Sequence, residues 1–248
     1  MDDTRKRFPA WRWIAVAVVI LVLGVALVIG GWITSRSRTF QLFGEIVHRV
    51  ETEEKVVALT FDDGPTPDYT PGVLAVLKEK GVKATFFLIG NEAEANITET
   101  RAIVADGHEL GNHTYTHADM TLASEADAEN EVTRTDAAIR AAGYSGDIHF
   151  RPPFGKKLFG LPLYLAKNDR LTVTWDVEPE SDEAIAADPR RIISHVVEQA
   201  KPGSIIILHV MYPTRKTSRQ ALPGVIDALK ERGFRFVTVS ELLRMRAR

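Results

Sequence analysis

Two adjacent aspartates, Asp62 and Asp63, follow the apolar run Val56–Leu59 in the stretch "TFDDGPTP". Side chains alternate along an extended strand, so neighbouring carboxylates normally point to opposite faces. Held together they repel, and the pair is costly unless something positive binds there. A plain turn would account for the Asp-Gly and Gly-Pro steps; a bound cation would account for the carboxylates. "HTYTH" offers the other half of a cation site, with His113 and His117 four residues apart. On a helical turn or a compact loop, imidazoles at that spacing face the same way, as paired metal ligands require. Thr114 stands where the HExxH metalloproteases carry their general-base Glu, so that motif is absent. A carboxylate as third ligand suits zinc or a similar divalent ion, and the neighbouring aspartate is then left to act as a base.

These residues need elements to position them, and the pattern from Lys55 onward alternates strand with helix. "KVVALTF" is a continuous apolar strand, and "GVLAVLKEKG" a short amphipathic helix closed by Gly81. "ATFFLIG" is a strand, a helix is expected across about Ala93–Ala105, and "HELGNH" is a short strand. Leu122–Ala142 is a polar-faced helix stopped by Gly143. "DIHFRPP" and "LTVTWDV" continue the strands, and Asp188-Pro189 opens a helix whose apolar stripe includes Ile192, Val196 and Ala200. "SIIILH" and "FRFVTV" are strands separated by a helix over Pro223–Arg232. Phe40–Val50 has an imperfect strand pattern. Strands buried on both faces that alternate with helices predict an α/β fold with a parallel sheet of about seven strands, closed or nearly closed as a barrel. In such barrels chemistry collects at the carboxyl ends of strands. Five strands here end in ionisable groups: Asp62-Asp63, His113, Arg151, Asp176 with Glu178, and His209.

Composition narrows the function classes. Across 248 residues there is no cysteine, which excludes disulfides, zinc–thiolate sites and cysteine nucleophiles. Ile14–Thr34 carries no charge and has the length of a membrane-spanning helix. Arg5, Lys6, Arg7 and Arg12 precede it, while Arg36 and Arg38 follow. This balance predicts residues 1–13 on the cytoplasmic side, a span over 14–34, and one exported domain over 39–248. Trp11, Trp13 and Trp32 sit where interfacial aromatics are favoured. A cleaved signal peptide fits less well, for want of a short apolar region and a small-x-small site. Beyond residue 38 the chain holds 25 basic and 31 acidic residues, a balance of −6, with no electrostatic surface for nucleic acid.

The motifs "TFDDGP", "HTYTH", "RPPFG", "WDVE" and "ILH" occur in that order. On them, Lys55–Leu243 resembles the polysaccharide deacetylase family, carbohydrate esterase family four. The resemblance implies a distorted β/α barrel and a metal-dependent hydrolase releasing acetate from N-acetylglucosamine polymers or acetylated xylan. It implies Asp62 as general base, and Asp63, His113 and His117 as ligands of a divalent metal, zinc first, with cobalt, nickel or manganese also suited. It further implies Arg151 pairing with Asp62, His209 as general acid, and the backbone N–H of Phe154 at the oxyanion. Phe154 stands where members commonly carry tyrosine, and Val210 where an acidic residue is frequent. "PESDE" replaces the usual Asp-Trp pair, which leaves Glu178 or Asp182 to orient His209. Trp175 and Ile207 flank the rim, either against the acetyl methyl or a sugar face or as barrel core. The expected substrate is an acetylated glycan, chitin-like, peptidoglycan or exopolysaccharide. The alternatives are an O-acetyl polysaccharide esterase and a catalytically weak, membrane-anchored glycan-binding module.

Overall fold

A computed structural model describes residues 10–246. In chain order its regular elements are α1 (Ala10–Ser35), β1 (Ile46–Val47), β2 (Val56–Asp62), α2 (Thr70–Lys80), β3 (Thr85–Leu88), α3 (Gly90–Ala95), α4 (Ile97–Ala105), β4 (Glu109–Asn112), α5 (Glu125–Ala141), α6 (Gly160–Lys167), β5 (Thr172–Val173), α7 (Glu183–Ala186), α8 (Pro189–Gln199), β6 (Ser204–His209), α9 (Lys216–Glu231), β7 (Arg235–Val237) and α10 (Val239–Leu243).

Every residue of β2 is buried, which is why its sequence is an unbroken apolar run up to the aspartates. Val57, Leu59 and Phe61 enter one core cluster, while Val56 and Ala58 enter another on the opposite face. Full burial of such a side chain stabilises by roughly 1.5–3 kcal/mol. Along one edge β2 pairs with β6, with Asp62 opposite His209. The other edge is divided: Val56–Ala58 pair with β7, and Thr60–Asp62 with β3. β4 lies outside β3, and β1 pairs with β5 in a second sheet. All these ladders are parallel, so the site-bearing strand ends point the same way.

The architecture is α/β with parallel sheets, as expected, but the ladders do not run round as one barrel. Among the described residues they form two sheets joined by single bridges, through Asn112, Phe150 and Thr172 on one side and, on the other, between Arg49 and Ser204 and between Val177 and Ile206. The proline pair 152–153 has no N–H to extend a ladder beyond Phe150. On the other side, the Ile205 N–H donates to the Asp176 carboxylate at 2.8 Å, in place of a strand carbonyl.

Helix boundaries differ from the sequence expectation where tertiary contacts intervene. α5 starts at Glu125 because Ser124 and Asp127 form a reciprocal capping box. The helix expected over Ala93–Ala105 is two, broken at Asn96, whose side-chain amide donates to the Pro65 carbonyl at 2.9 Å. Asn96 is the head of a glycosylation-like triplet, and its amide is spent inside the fold. α9 begins at Lys216, seven residues before Pro223, with Ser218, Ala221 and Leu222 buried. Of the expected strand Phe40–Val50, Ile46–Val47 pair with β5 and Arg49 forms a single antiparallel bridge to Ser204 of β6. Glycine is required for close packing at Gly111, where a Cβ would lie 2.4 Å from the Phe87 ring on the neighbouring strand.

The segment Trp11–Ser35 is long and apolar enough to cross a membrane, and its most apolar stretch is nowhere buried within the protein. Arg36 stacks over Trp32 at its carboxyl end, 4.8 Å from the ring centre. The basic residues Arg5, Lys6 and Arg7, on which the orientation rests, lie outside the described residues, as does most of the predicted 1–13 segment.

Candidate active site

Asp62 ends β2, and Asp63 immediately leaves it with φ of 75°. That left-handed turn defeats the strand alternation. Asp62 Oδ2 and Asp63 Oδ1 consequently lie 3.6 and 3.8 Å from the same atom, His113 Nε2. The aspartate pair therefore faces one point, which the sequence pattern alone would not predict.

His113 follows β4. Its Nδ1–H donates to the Arg151 carbonyl at 2.8 Å, so the Nε2 lone pair faces the aspartates. Burial pushes the His113 pKa down, against the pull of Asp62 and Asp63, which favours the neutral, ligating imidazole. His117 Nε2 approaches Asp63 Oδ1 at 3.4 Å. The two imidazoles meet through a compact loop, with positive φ at Thr114 (64°) and His117 (57°), and not through a helical turn. Glu131 of α5 holds that loop: one carboxylate oxygen accepts from the Tyr115 and Thr116 N–H groups, both at 2.8 Å, and the other from the Thr116 hydroxyl at 2.9 Å. The Asn112 side chain accepts from the Thr114 N–H at 2.9 Å.

One ligand atom each from Asp63, His113 and His117 lies within 4.8 Å of the others. Asp63 Oδ1 is buried and has no hydrogen-bond partner among the described residues. A buried carboxylate oxygen left unpaired is expensive. Facing two imidazole nitrogens, it fits a divalent cation bound by two nitrogens and an oxygen, with open coordination positions.

Asp62 has a different partner. Arg151 is fully buried and donates to Asp62 Oδ1 at 2.6 Å, to the Thr60 hydroxyl at 2.8 Å, and to the carbonyls of Val173 and Thr174. The Phe87 ring backs the guanidinium at 3.9 Å. Burial alone would raise the Asp62 pKa, but the charges of Arg151, His113 and His209 outweigh it and hold the carboxyl below its usual range.

His209 ends β6, beside Asp62. Its Nδ1 hydrogen-bonds to Glu180, which also accepts from the His209 N–H at 3.0 Å and from the Ser218 hydroxyl. Burial pushes this imidazole down, yet the Glu180 hydrogen bond and charge, with Asp62 and Asp63, raise its pKa to about 9. Here the structure corrects the expectation of Glu178 or Asp182. Glu178 accepts from the Ser181 hydroxyl at 2.6 Å, and Asp182 caps α7 through the Ala184 N–H at 2.8 Å. The chain turns at Glu180 after Pro179, and that turn swings Glu180 inward. Asp176, expected at the rim, is bound to the Ser204 hydroxyl and the Ile205 N–H at the start of β6.

Phe154 has φ of 58°, a costly conformation for a non-glycine residue, and its exposed ring stands edge-on to His117 at 4.7 Å. Trp175 and the buried Ile207 line the same pocket of about 350 Å³ as the aspartates, the two histidines and His209. Arg215, which sequence reasoning passed over, lines it too.

Residues 49–171 match the sequence profile of the polysaccharide deacetylases. A peptidoglycan-N-acetylglucosamine deacetylase of Bacillus cereus is 35% identical over 201 residues, covering 81% of this chain and 94% of that protein. The chain belongs to the polysaccharide deacetylase family. A chitooligosaccharide deacetylase of Bradyrhizobium sp. is 38% identical over 198 residues, covering 75% of this chain and 90% of that protein. The crystal structure of the peptidoglycan N-acetylglucosamine deacetylase Bc1960 superposes with a TM-score of 0.73 at 32% identity, over 79% of this chain and 91% of that one. Within this deacetylase fold, Glu180, Ser218, Glu131 and Arg215 are the site residues the sequence did not disclose. Glu131 left a faint signal, an acid on the buried face of α5 beside Ala128, Val132 and Thr135.

Proposed function

We propose that this deacetylase removes N-acetyl groups from glucosamine-containing glycans with a divalent metal, zinc by preference, held by Asp63, His113 and His117. The observation that carries the reading is the unpartnered, buried Asp63 oxygen facing two imidazoles, one residue from an aspartate locked to a buried arginine. When bound, such a metal lowers the pKa of water and polarises an acyl oxygen. Asp62, kept ionised and oriented by Arg151, accepts the proton of the attacking water as oxygen bonds to the amide carbon. The backbone N–H of Phe154 serves the developing oxyanion, and a preorganised donor of this kind is worth about 3 kcal/mol. His209 then donates its proton to the amine as the carbon–nitrogen bond breaks, leaving acetate and a free amino sugar. Trp175 and Ile207 wall the pocket for the acetyl methyl or a sugar face.

Residues 39–248 are read as the catalytic domain, built on the two bridged parallel sheets. Residues 14–34 are read as a single span that holds it outside the cytoplasm. A reporter fused after Arg248 that becomes active only outside the cytoplasm, with the chain uncleaved in membranes, is the expected topology result. The catalytic test is acetate release from acetylated chitin oligomers, peptidoglycan and exopolysaccharide, before and after chelation and zinc addition. Release that stops with chelator and returns with zinc is expected. Release only from O-acetylated glycans would make the chain an esterase, and binding without release would make it a glycan-binding module.

A further inference from the structure

The chain between the apolar helix and the domain lies against the site. Lys157 donates its backbone N–H to the Ser35 carbonyl at 2.9 Å and its ammonium to the Ser37 carbonyl, and the Thr174 hydroxyl donates to the Arg38 carbonyl at 2.6 Å. Lys157 is 1% exposed, and among the described residues its ammonium is bound by the backbone carbonyls of Ser37 and Gly155 only. Burying an ammonium for that purpose is expensive, so the attachment of residues 35–38 is a built feature. Lys157 and Thr174 flank the groups already described, three residues beyond Phe154 and one before Trp175.

The attachment forms a wall of a second cleft, of about 570 Å³, within the usual range for ligand pockets. This cleft shares Phe154, Trp175, Glu178 and Ser181 with the active-site pocket, so a ligand seated over the aspartates extends into it. Arg36 and Arg38 line it, and Arg38 lies 5.9 Å from the centre of the Trp175 ring. Neither guanidinium pairs with a carboxylate among the described residues. Asp176 and Asp182, also in the lining, are turned to protein N–H and hydroxyl groups. An aromatic face bordered by unpaired planar donors, acceptors and an amide (Gln199) matches a sugar ring with its hydroxyls. The mixed charge suits a polyanion or an apolar ligand poorly.

We propose that Arg38, assisted by Arg36, builds with Trp175 a further sugar subsite, so that the exit segment of the membrane helix binds the glycan beside the residue being deacetylated. The proposal rests on the N-deacetylase reading for its substrate class. It makes long substrates better ones and holds them at the membrane surface.

The test uses the full chain in detergent micelles with N-acetylglucosamine dimer and pentamer. The readouts are kcat/KM for each and, on chelator-treated protein, calorimetric affinity for each. The pentamer-to-dimer ratio should exceed one in both measurements. It should fall about tenfold in Arg38→Ala, the equivalent of one charge-assisted hydrogen bond, and less in Arg36→Ala. An unchanged ratio in both variants overturns the subsite even where acetate is released. The loss of pentamer affinity in Arg38→Ala upholds it even where no acetate is released, in which case the N-deacetylase reading alone fails. Loss of binding to phosphatidylglycerol vesicles with an unchanged ratio would assign the arginines to lipid headgroups and also overturn it.

Discussion

Replacing Glu180 with Gln removes the carboxylate and keeps the shape. In the structure His209 is held at a pKa of about 9 because its hydrogen bond and charge pairing with Glu180, aided by Asp62 and Asp63, outweigh burial. A His that must donate a proton works only below its pKa, so activity falls as pH rises through that value. With a pKa of about 9, roughly 90% of the imidazole is protonated at pH 8; at the ordinary value of about 6.5 only about 3% is. The neutral amide of the variant cannot supply the charge, and burial then acts with less opposition, so these two values alone give a loss in kcat at pH 8 of about 30-fold or more. A cation held at Asp63 would cancel part of the support from that carboxylate, which places the wild-type limb between these two values and the loss at pH 8 at about tenfold or more. The assay is kcat against pH from 5.5 to 10 at saturating acetylated oligosaccharide. Glu180→Gln should move the alkaline limb down by about one unit or more and lose least at the acid end. Glu178→Gln and Asp182→Asn should leave the limb in place. An alkaline limb that does not move in Glu180→Gln would refute the coupling, and with it the assignment of His209 as the acid.

Asp62→Asn and Asp63→Asn should part company: the first keeps zinc and loses at least ~100-fold in kcat, while the second loses zinc first, as metal analysis after dialysis will show. Glu131→Gln weakens the acceptor for the Tyr115 and Thr116 groups that set the histidine loop; zinc affinity should drop ~10–100-fold, and equal affinity would make the loop self-supporting. Gly111→Ala places a methyl 2.4 Å from the Phe87 ring. It should cost about 1–3 kcal/mol in urea unfolding, with an unchanged midpoint counting against the packing argument.

The chemistry-bearing residues were legible in the sequence because each is the last word of a strand signal: an apolar run ending abruptly in Asp62, His113 or His209 has few bland explanations. Helix-closing glycines and proline starts were equally local, and Gly81 and Pro189 fall where they were expected. The apolar segment declared itself by length alone. What the sequence could not carry was direction. Whether Asp63 faces with Asp62 or against it depends on a left-handed backbone at Asp63, whose N–H donates to the Phe87 carbonyl on another strand at 3.1 Å. The choice of Glu180 over Glu178 or Asp182 depends on a turn after Val177, at the point where the ladder to β6 has dwindled to a single bridge. Arg38 comes to the cleft only because Lys157 and Thr174, more than a hundred residues away in the chain, hydrogen-bond to the backbone around it. Local patterns determine which residues can do chemistry, since burial and periodicity act over a few residues. Which of them meet is decided by side-chain directions and long-range hydrogen bonds, which exist only after the sheets have packed.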